Sequence, residues 1–161
     1  MVHPLPGLDT MNPSLDPHSD ELTAIVDAEH HVQVSLAQAL RDTVQAGKDA
    51  ALAGKILDQL TTYSDVHFLS EQLLMRMCGY PGYDDHVLDH DHMMERLEEA
   101  RHRHDTGAQP LTLTETEALL TLLARHIGTQ DRVFADYYRA WSRRETESTG
   151  QRSSTQPEHC L

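Results

Sequence analysis

Four stretches of the chain place apolar residues three and four positions apart, and each is long enough for a helix of many turns. The first, helix A, runs from about Ser19, an N-cap followed by Asp20 and Glu21, to Ala46, with Gly47 as its stop. Helix B spans about Asp49 to Cys78, with Leu52, Ile56, Leu60, Leu69, Leu73 and Leu74 among its apolar positions. It ends in the breaker cluster Gly79-Tyr80-Pro81-Gly82. Helix C covers about Tyr83 to His104, and a loop follows from Asp105 to Pro110. Thr114 and Glu117 then form a capping-box signature that opens helix D, which extends to about Arg143. Runs of alternating β-branched residues are absent, so no strand competes. Long helices joined by short turns predict an all-α, up-down-up-down four-helix bundle over residues 19–143. Residues 1–18 are proline-rich and aperiodic, an extended N-terminal arm, and the polar residues 144–161 are read as a disordered tail.

Composition narrows the range of functions. A chain of 161 residues is long enough for one domain with a real core. Its formal net charge of -13 repels phosphate backbones and anionic lipid surfaces, so neither nucleic acid nor membrane is expected as a partner. The N-terminus has no basic start and no apolar run of signal-peptide length, which points to a cytoplasmic protein. Two cysteines, Cys78 and Cys160, make no disulfide framework. Histidine is the outlier: 12 of them stand in a chain with only two Phe and one Trp. Imidazole is the commonest metal ligand among side chains, so the spacing of these residues matters.

Every helix carries part of one constellation. His30 lies on A, His67 and Glu71 on B, His86 and His90 on C, and His126 with Asp131 on D. Residues four apart share a helix face, so His67 with Glu71 and His86 with His90 can address the same space. The five-residue step from His126 to Asp131 turns the second side chain off the first and demands a local change of helix geometry. Depth supplies an independent test, because residues equidistant from a hairpin turn are level. From a turn at Lys48, His30 is 18 residues before and His67 is 19 after; from Ala108, His90 and His126 are each 18 away. From Tyr80, Glu71 is 9 before and His90 is 10 after. At a rise of about 1.5 Å per residue, all lie in one layer about 27 Å from the A–B and C–D turns.

Five imidazoles and two carboxylates are too many for a single zinc, which prefers four ligands, and too nitrogen-rich for calcium or magnesium. Two first-row transition-metal ions suit the set. If both carboxylates and an oxo or hydroxo group bridge, the metal with three histidines is six-coordinate and the metal with two is five-coordinate. One position then remains open for a small molecule.

These residues resemble the hemerythrin family, whose pattern is one His on helix A, H-x-x-x-E on B, H-x-x-x-H on C and H-x-x-x-x-D on D. Here the matching segments are IVDAEHH, HFLSE, HVLDH and HIGTQD, supported by the Tyr80-Pro81 turn, Phe68 and Ile127. The resemblance spans roughly residues 20–140. It implies a non-haem di-iron centre in which His86, His90 and His126 bind the saturated iron, His30 and His67 bind the open iron, and Glu71 and Asp131 bridge. It also implies reversible binding of dioxygen at the open position. The chain departs from the family at Leu122, where a tryptophan is usual, and at Gln33, where an aliphatic residue is common. Gln33, Phe68 and Leu123 are read as lining the oxygen pocket, with Gln33 admitting water or donating a proton and so hastening oxidation of the irons.

The remaining histidines carry simpler readings. His31 faces away from its neighbour, and His92, His102 and His104 belong to a solvated face or loop. Met75, Met77, Met93 and Met94 fill core. Glu95, Glu98 and Glu99 with Arg96 and Arg101 form ordinary surface charge pairs. The leading expectation is oxygen transport, storage or sensing, with a reductant or signalling partner. A di-iron enzyme with peroxidase, oxidase or nitric-oxide-handling activity is the alternative, and an iron-buffering protein is the third.

Overall fold

The computed structural model describes residues 17–47 and 49–153; Lys48, the chosen centre of the A–B turn, and Cys160 fall outside them. Helix α1 is Pro17–Ala46, α2 is Ala50–Met77, α3 is Tyr83–Asp105 and α4 is Leu113–His126. One π-helical turn, Ile127–Asp131, then leads without a break into α5, Arg132–Ser153. The last three pieces make the fourth rod. Each rod packs beside the next and α1 closes the ring against α4, which gives the four-helix bundle.

The helix ends explain where the chain turns. Gly47 and Gly79 have φ of 63°, the left-handed conformation that ends a helix with little strain only at glycine. After α2 the Tyr80 amide donates to the Met75 carbonyl at 2.9 Å, closing the turn. The start of α1 differs from the expected cap: the helix begins at Pro17, whose fixed φ suits a first helical turn, and Ser19 lies inside it. The capping box also shifts by two residues. Thr112, in extended conformation, accepts from the Glu115 amide, and the Glu115 carboxylate accepts from the Thr112 amide at 3.0 Å. Thr114 falls inside α4. The C-terminal rod runs to Ser153, ten residues past the expected limit at Arg143. Polarity suggested disorder there, yet Arg and Glu are good helix formers, and Thr146 Oγ1 donates back to the Ser142 carbonyl.

The inner face of α2 is the informative one. It consists of Ala53, Leu57, Leu60, Ser64, His67, Phe68, Glu71 and Met75, all buried. Leu52, Leu69 and Leu73, read as apolar stripe, are instead exposed, and Met77 is 64% exposed rather than core. The helix had to rotate its polar residues inward to complete the site. His104 departs from a solvated reading in another way. Its ring lies on Gly54, where a Cβ would stand 2.3 Å from the imidazole, and its Nε2 meets the Ala50 carbonyl at 2.9 Å. His31, His92 and His102 are exposed as expected.

Two apolar clusters result, one on each side of a polar layer. Toward the Gly47 and Gly107 turns the core is almost wholly aliphatic, built on Leu40, Leu57, Leu60, Leu97 and Leu123. Toward the Gly79 turn it gathers Met75, Cys78 and Phe134 with Tyr80, Tyr83, Tyr137, Tyr138 and Trp141.

Candidate metal centre

Between the two clusters lie His30, His67, Glu71, His86, His90, His126 and Asp131, every one buried. Helix hairpins bring them level: the His30 and His67 rings are 4.8 Å apart, as are those of His86 and His126. The awkward five-residue step is resolved by the π turn. An i to i+5 repeat returns Asp131 to the face of His126, and Asp131 Oδ1 stands 2.8 Å from His126 Nε2.

The donor atoms fall into two groups. Glu71, His86, His90, His126 and Asp131 form one, and His30, His67 and Asp131 the other. Asp131 belongs to both, and its two oxygens divide the work. Oδ1 faces His86 at 3.0 Å and His126, while Oδ2 faces His30 Nε2 at 2.9 Å. Glu71 Oε2 lies 3.3 Å from His86 Nε2 and 3.2 Å from His90 Nε2. Despite such short separations, His30 Nε2, His67 Nε2, His90 Nε2, both Glu71 oxygens and Asp131 Oδ2 have no hydrogen-bond partner. Leaving a buried polar atom unsatisfied costs about 1–3 kcal/mol, so atoms that converge without pairing fit a role as metal donors. Imidazole nitrogen with carboxylate oxygen is a donor set for first-row transition metals.

The field within the layer follows from the same crowding. Burial works to neutralise His86, yet Asp131 and Glu71 raise it to about 9. Burial likewise works against ionised Asp131, but His126, His30 and His86 hold it well below the usual carboxylate range. Glu71 is held low by His86 and His90 against the same burial penalty. His90 moves the other way, below its ordinary value, because desolvation exceeds what Glu71 returns.

Residues outside the first set surround it, and two of them, Glu29 and Ser64, escaped the sequence reading. His67 Nδ1 meets Glu29 Oε2 at 2.8 Å, which turns Nε2 toward the cluster. Glu29 precedes His30, so adjacency to a ligand facing another helix was the available signal. Phe68 stacks on His90 with centroids 4.1 Å apart. Gln33 is fully buried, and its amide nitrogen donates to Ser64 Oγ at 3.2 Å while Oε1 has no partner. Ser64, Phe68 and Leu123 line one small cavity of about 10 Å³, whose wall also includes Leu122. On the other side a cavity of about 340 Å³ reaches His30, Glu71 and Asp131 from the surface.

The chain has known relatives. The family model described as "Hemerythrin HHE cation binding domain" matches residues 21–138. The chain belongs to the hemerythrin family. A bacteriohemerythrin of Stenotrophomonas maltophilia (strain R551-3) is 26% identical over 136 residues, covering 82% of this chain and 80% of the relative. One from Pseudomonas aeruginosa (strain UCBPP-PA14) is 29% identical over 116 residues, 71% of this chain and 74% of that one. A crystal structure of wild-type hemerythrin superposes with a TM-score of 0.68 at 24% identity, covering 72% of this chain and 88% of the other. The likeness to that structure extends to the four-helix fold. No helix among the described residues is long and apolar enough to cross a membrane.

Proposed function

We propose that this hemerythrin-family chain holds two non-haem irons and binds dioxygen reversibly at one of them. The sharing of Asp131 between a three-histidine and a two-histidine group is the observation that carries the reading. His86, His90 and His126 with Glu71 would hold one ion, His30 and His67 the other, with Asp131 common to both; the family resemblance would have Glu71 bridge as well. The two-histidine side has fewer donors, and that is where a small molecule would have room. Iron, when bound, would supply the electrons that dioxygen takes up. The chain supplies the rest. Glu29 fixes the His67 ring, the π turn aims Asp131, and Phe68, Leu122 and Leu123 form an apolar wall that limits water. Gln33 is the polar element next to that wall. A cytoplasmic location and a role in transport, storage or sensing complete the proposal.

The open cavity of about 340 Å³ favours a second reading, a di-iron enzyme. Cavities of this size admit small organic molecules, whereas dioxygen needs far less space. Anaerobic reduction followed by admission of oxygen, with metal content and visible spectrum recorded, separates the readings. Two irons per chain and a persistent, reversible oxygenated spectrum support carriage. Rapid passage to the oxidised form, with turnover of peroxide and a reductant, supports the enzyme. Absence of any iron-dependent spectrum sinks both.

A further inference from the structure

The chain is poor in aromatic residues, with 5 Tyr, 2 Phe and 1 Trp, yet six of these eight sit in the cluster at the Gly79 end. They form a connected column. Trp141 lies 5.6 Å from Tyr138, and Tyr138 lies 6.1 Å from Phe134, by ring centroid. Phe134 is 5.2 Å from Tyr80, and both Tyr80 and Phe134 are 6.3 Å from the His86 ring. Trp141, Tyr138 and Tyr80 are half-buried, so the column has its outer end at the bundle surface and its inner end against the histidine layer.

We propose that Trp141, Tyr138, Phe134 and Tyr80 form a path for single electrons between the protein surface and the His86 edge of the metal-capable layer. Indole and phenol side chains give up one electron and regain it without breaking the carbon skeleton, whereas the aliphatic side chains of the opposite half do not. An outer-sphere one-electron oxidant removes an electron from the Trp141 indole. The indolyl radical takes an electron from the Tyr138 phenol, which releases its proton. The Tyr138 phenoxyl radical takes an electron from Tyr80, with Phe134 as the ring between them; Tyr80 releases its phenolic proton to solvent, and Tyr138 regains one from solvent. One electron has left the protein for the oxidant, one proton has gone to solvent, and the hole rests on Tyr80. Run in reverse, the path carries an electron inward from an outer-sphere reductant at Trp141.

The geometry also ranks the tyrosines. Tyr137 meets Tyr80 edge-on at 5.2 Å between centroids, but its hydroxyl donates to the Cys78 and Gly79 carbonyls at 3.1 Å. Carbonyl oxygens are poor proton acceptors, so Tyr137 is a side branch. Burial raises the pKa of the Tyr80 phenol, with Glu71 adding to the effect, so it stays protonated until it is oxidised. Gly82 makes room for this ring, since a Cβ there would stand 2.8 Å from it.

The proposal depends on the di-iron reading only for what the inner end serves, and the test requires no metal. Trp141 is the chain's single tryptophan, so its radical is read without interference. A photogenerated ruthenium(III) polypyridyl complex is used to oxidise the full-length protein, and transient absorption follows indolyl and phenoxyl radicals. Decay of the indolyl signal with matching growth of phenoxyl is expected. Tyr138→Phe should slow that transfer by an order of magnitude or more, Tyr80→Phe should remove the final phenoxyl signal, and Tyr63→Phe, in the aliphatic half, should change nothing. An indolyl radical that decays without phenoxyl growth, or transfer indifferent to Tyr138→Phe, overturns the proposal. Circular dichroism of each variant establishes that it is folded. Failure of this test in a protein that loads iron leaves the oxygen-binding reading standing. Success in a protein that loads none leaves the electron path without that inner partner.

Discussion

The two halves of the bundle use the same helices for opposite physical ends. On the Leu123 side lie aliphatic side chains and a cavity of about 10 Å³, the lower limit for one water molecule. On the Phe134 side the histidine layer meets aromatic rings tilted against one another and a cavity of about 340 Å³ open to the surface. On the proposed reading, the tight aliphatic wall would shield a bound gas from water, while the open side would admit larger molecules. The difference teaches that burial alone does not describe the centre. Its seven side chains are equally enclosed, but they look onto two unlike environments, and Asp131 is the residue that faces both groups of donors.

Removing that shared residue should produce the largest effect. Asp131→Ala is expected to lower bound iron from about two ions per chain, as in di-iron bundles, to well under one. It also strips His30, His86 and His126 of their buried counter-charge, so denaturant unfolding of the metal-free variant should show a loss of about 3–5 kcal/mol. Retention of both ions would mean that the two groups are independent sites. Within the aliphatic half, Leu57 is fully buried, and Leu57→Ala should cost about 2–5 kcal/mol in the same assay. Metal content and radical transfer from Trp141 should stay unchanged, which sharpens the division between the halves.

The site was legible in the sequence for a geometric reason. Helix periodicity is rigid, so His67 with Glu71 and His86 with His90 declare a common face, and hairpin depth makes four helices agree. The π turn was legible as a demand, because His126 and Asp131 five apart fit no α-helical face. What escaped was decided by tertiary packing. Leu69 and Leu73 were counted among the apolar positions that mark helix B, yet they are exposed and α2 buries Ser64, His67 and Glu71, since the cluster's polar atoms need one another. Met77 followed the same error. His104 was assigned to solvent because it is polar, but Gly54 offers a flat bed for its ring on the neighbouring helix. Glu29 and Ser64 were missed because their roles are contacts with His67 and Gln33 across helices, and no spacing within one helix encodes them.

Gln33 tests the dry half from within. Its unpartnered Oε1 costs about 1–3 kcal/mol, while its bond to Ser64 returns about 0.5–1.5 kcal/mol. Gln33→Leu removes that unpartnered oxygen but strips the buried Ser64 hydroxyl of its partner, so the two changes offset and denaturant unfolding should shift by less than about 1 kcal/mol. The substitution should lengthen the life of the oxygenated spectrum, because the wall would then be wholly apolar. If the variant loses its oxygenated form as fast as the parent, Gln33 has no part in the pocket.

The smallest expected effect concerns the fourth rod, which presents Leu123, His126 and Asp131 from one continuous piece. The segment Leu111-Thr112-Leu113-Thr114-Glu115-Thr116-Glu117 contains two overlapping capping-box patterns, and composition does not choose between them. Backbone conformation does: Thr112 has φ of -100° and ψ of 154°, so its hydroxyl can turn back onto the first helical turn, whereas Thr114 is already helical. Glu115 adds to the choice: burial, the largest single influence, works to raise its carboxylate, yet the Thr112 contacts and Arg103 together hold it low. Thr112→Ala should cost about 1 kcal/mol, and Thr114→Ala less than about 0.5 kcal/mol. Equal costs would mean that the rod can start at either threonine. Its register against α3 would then be set from the other end, by the Asp131 contacts to His30 and His86, and the cap would only follow.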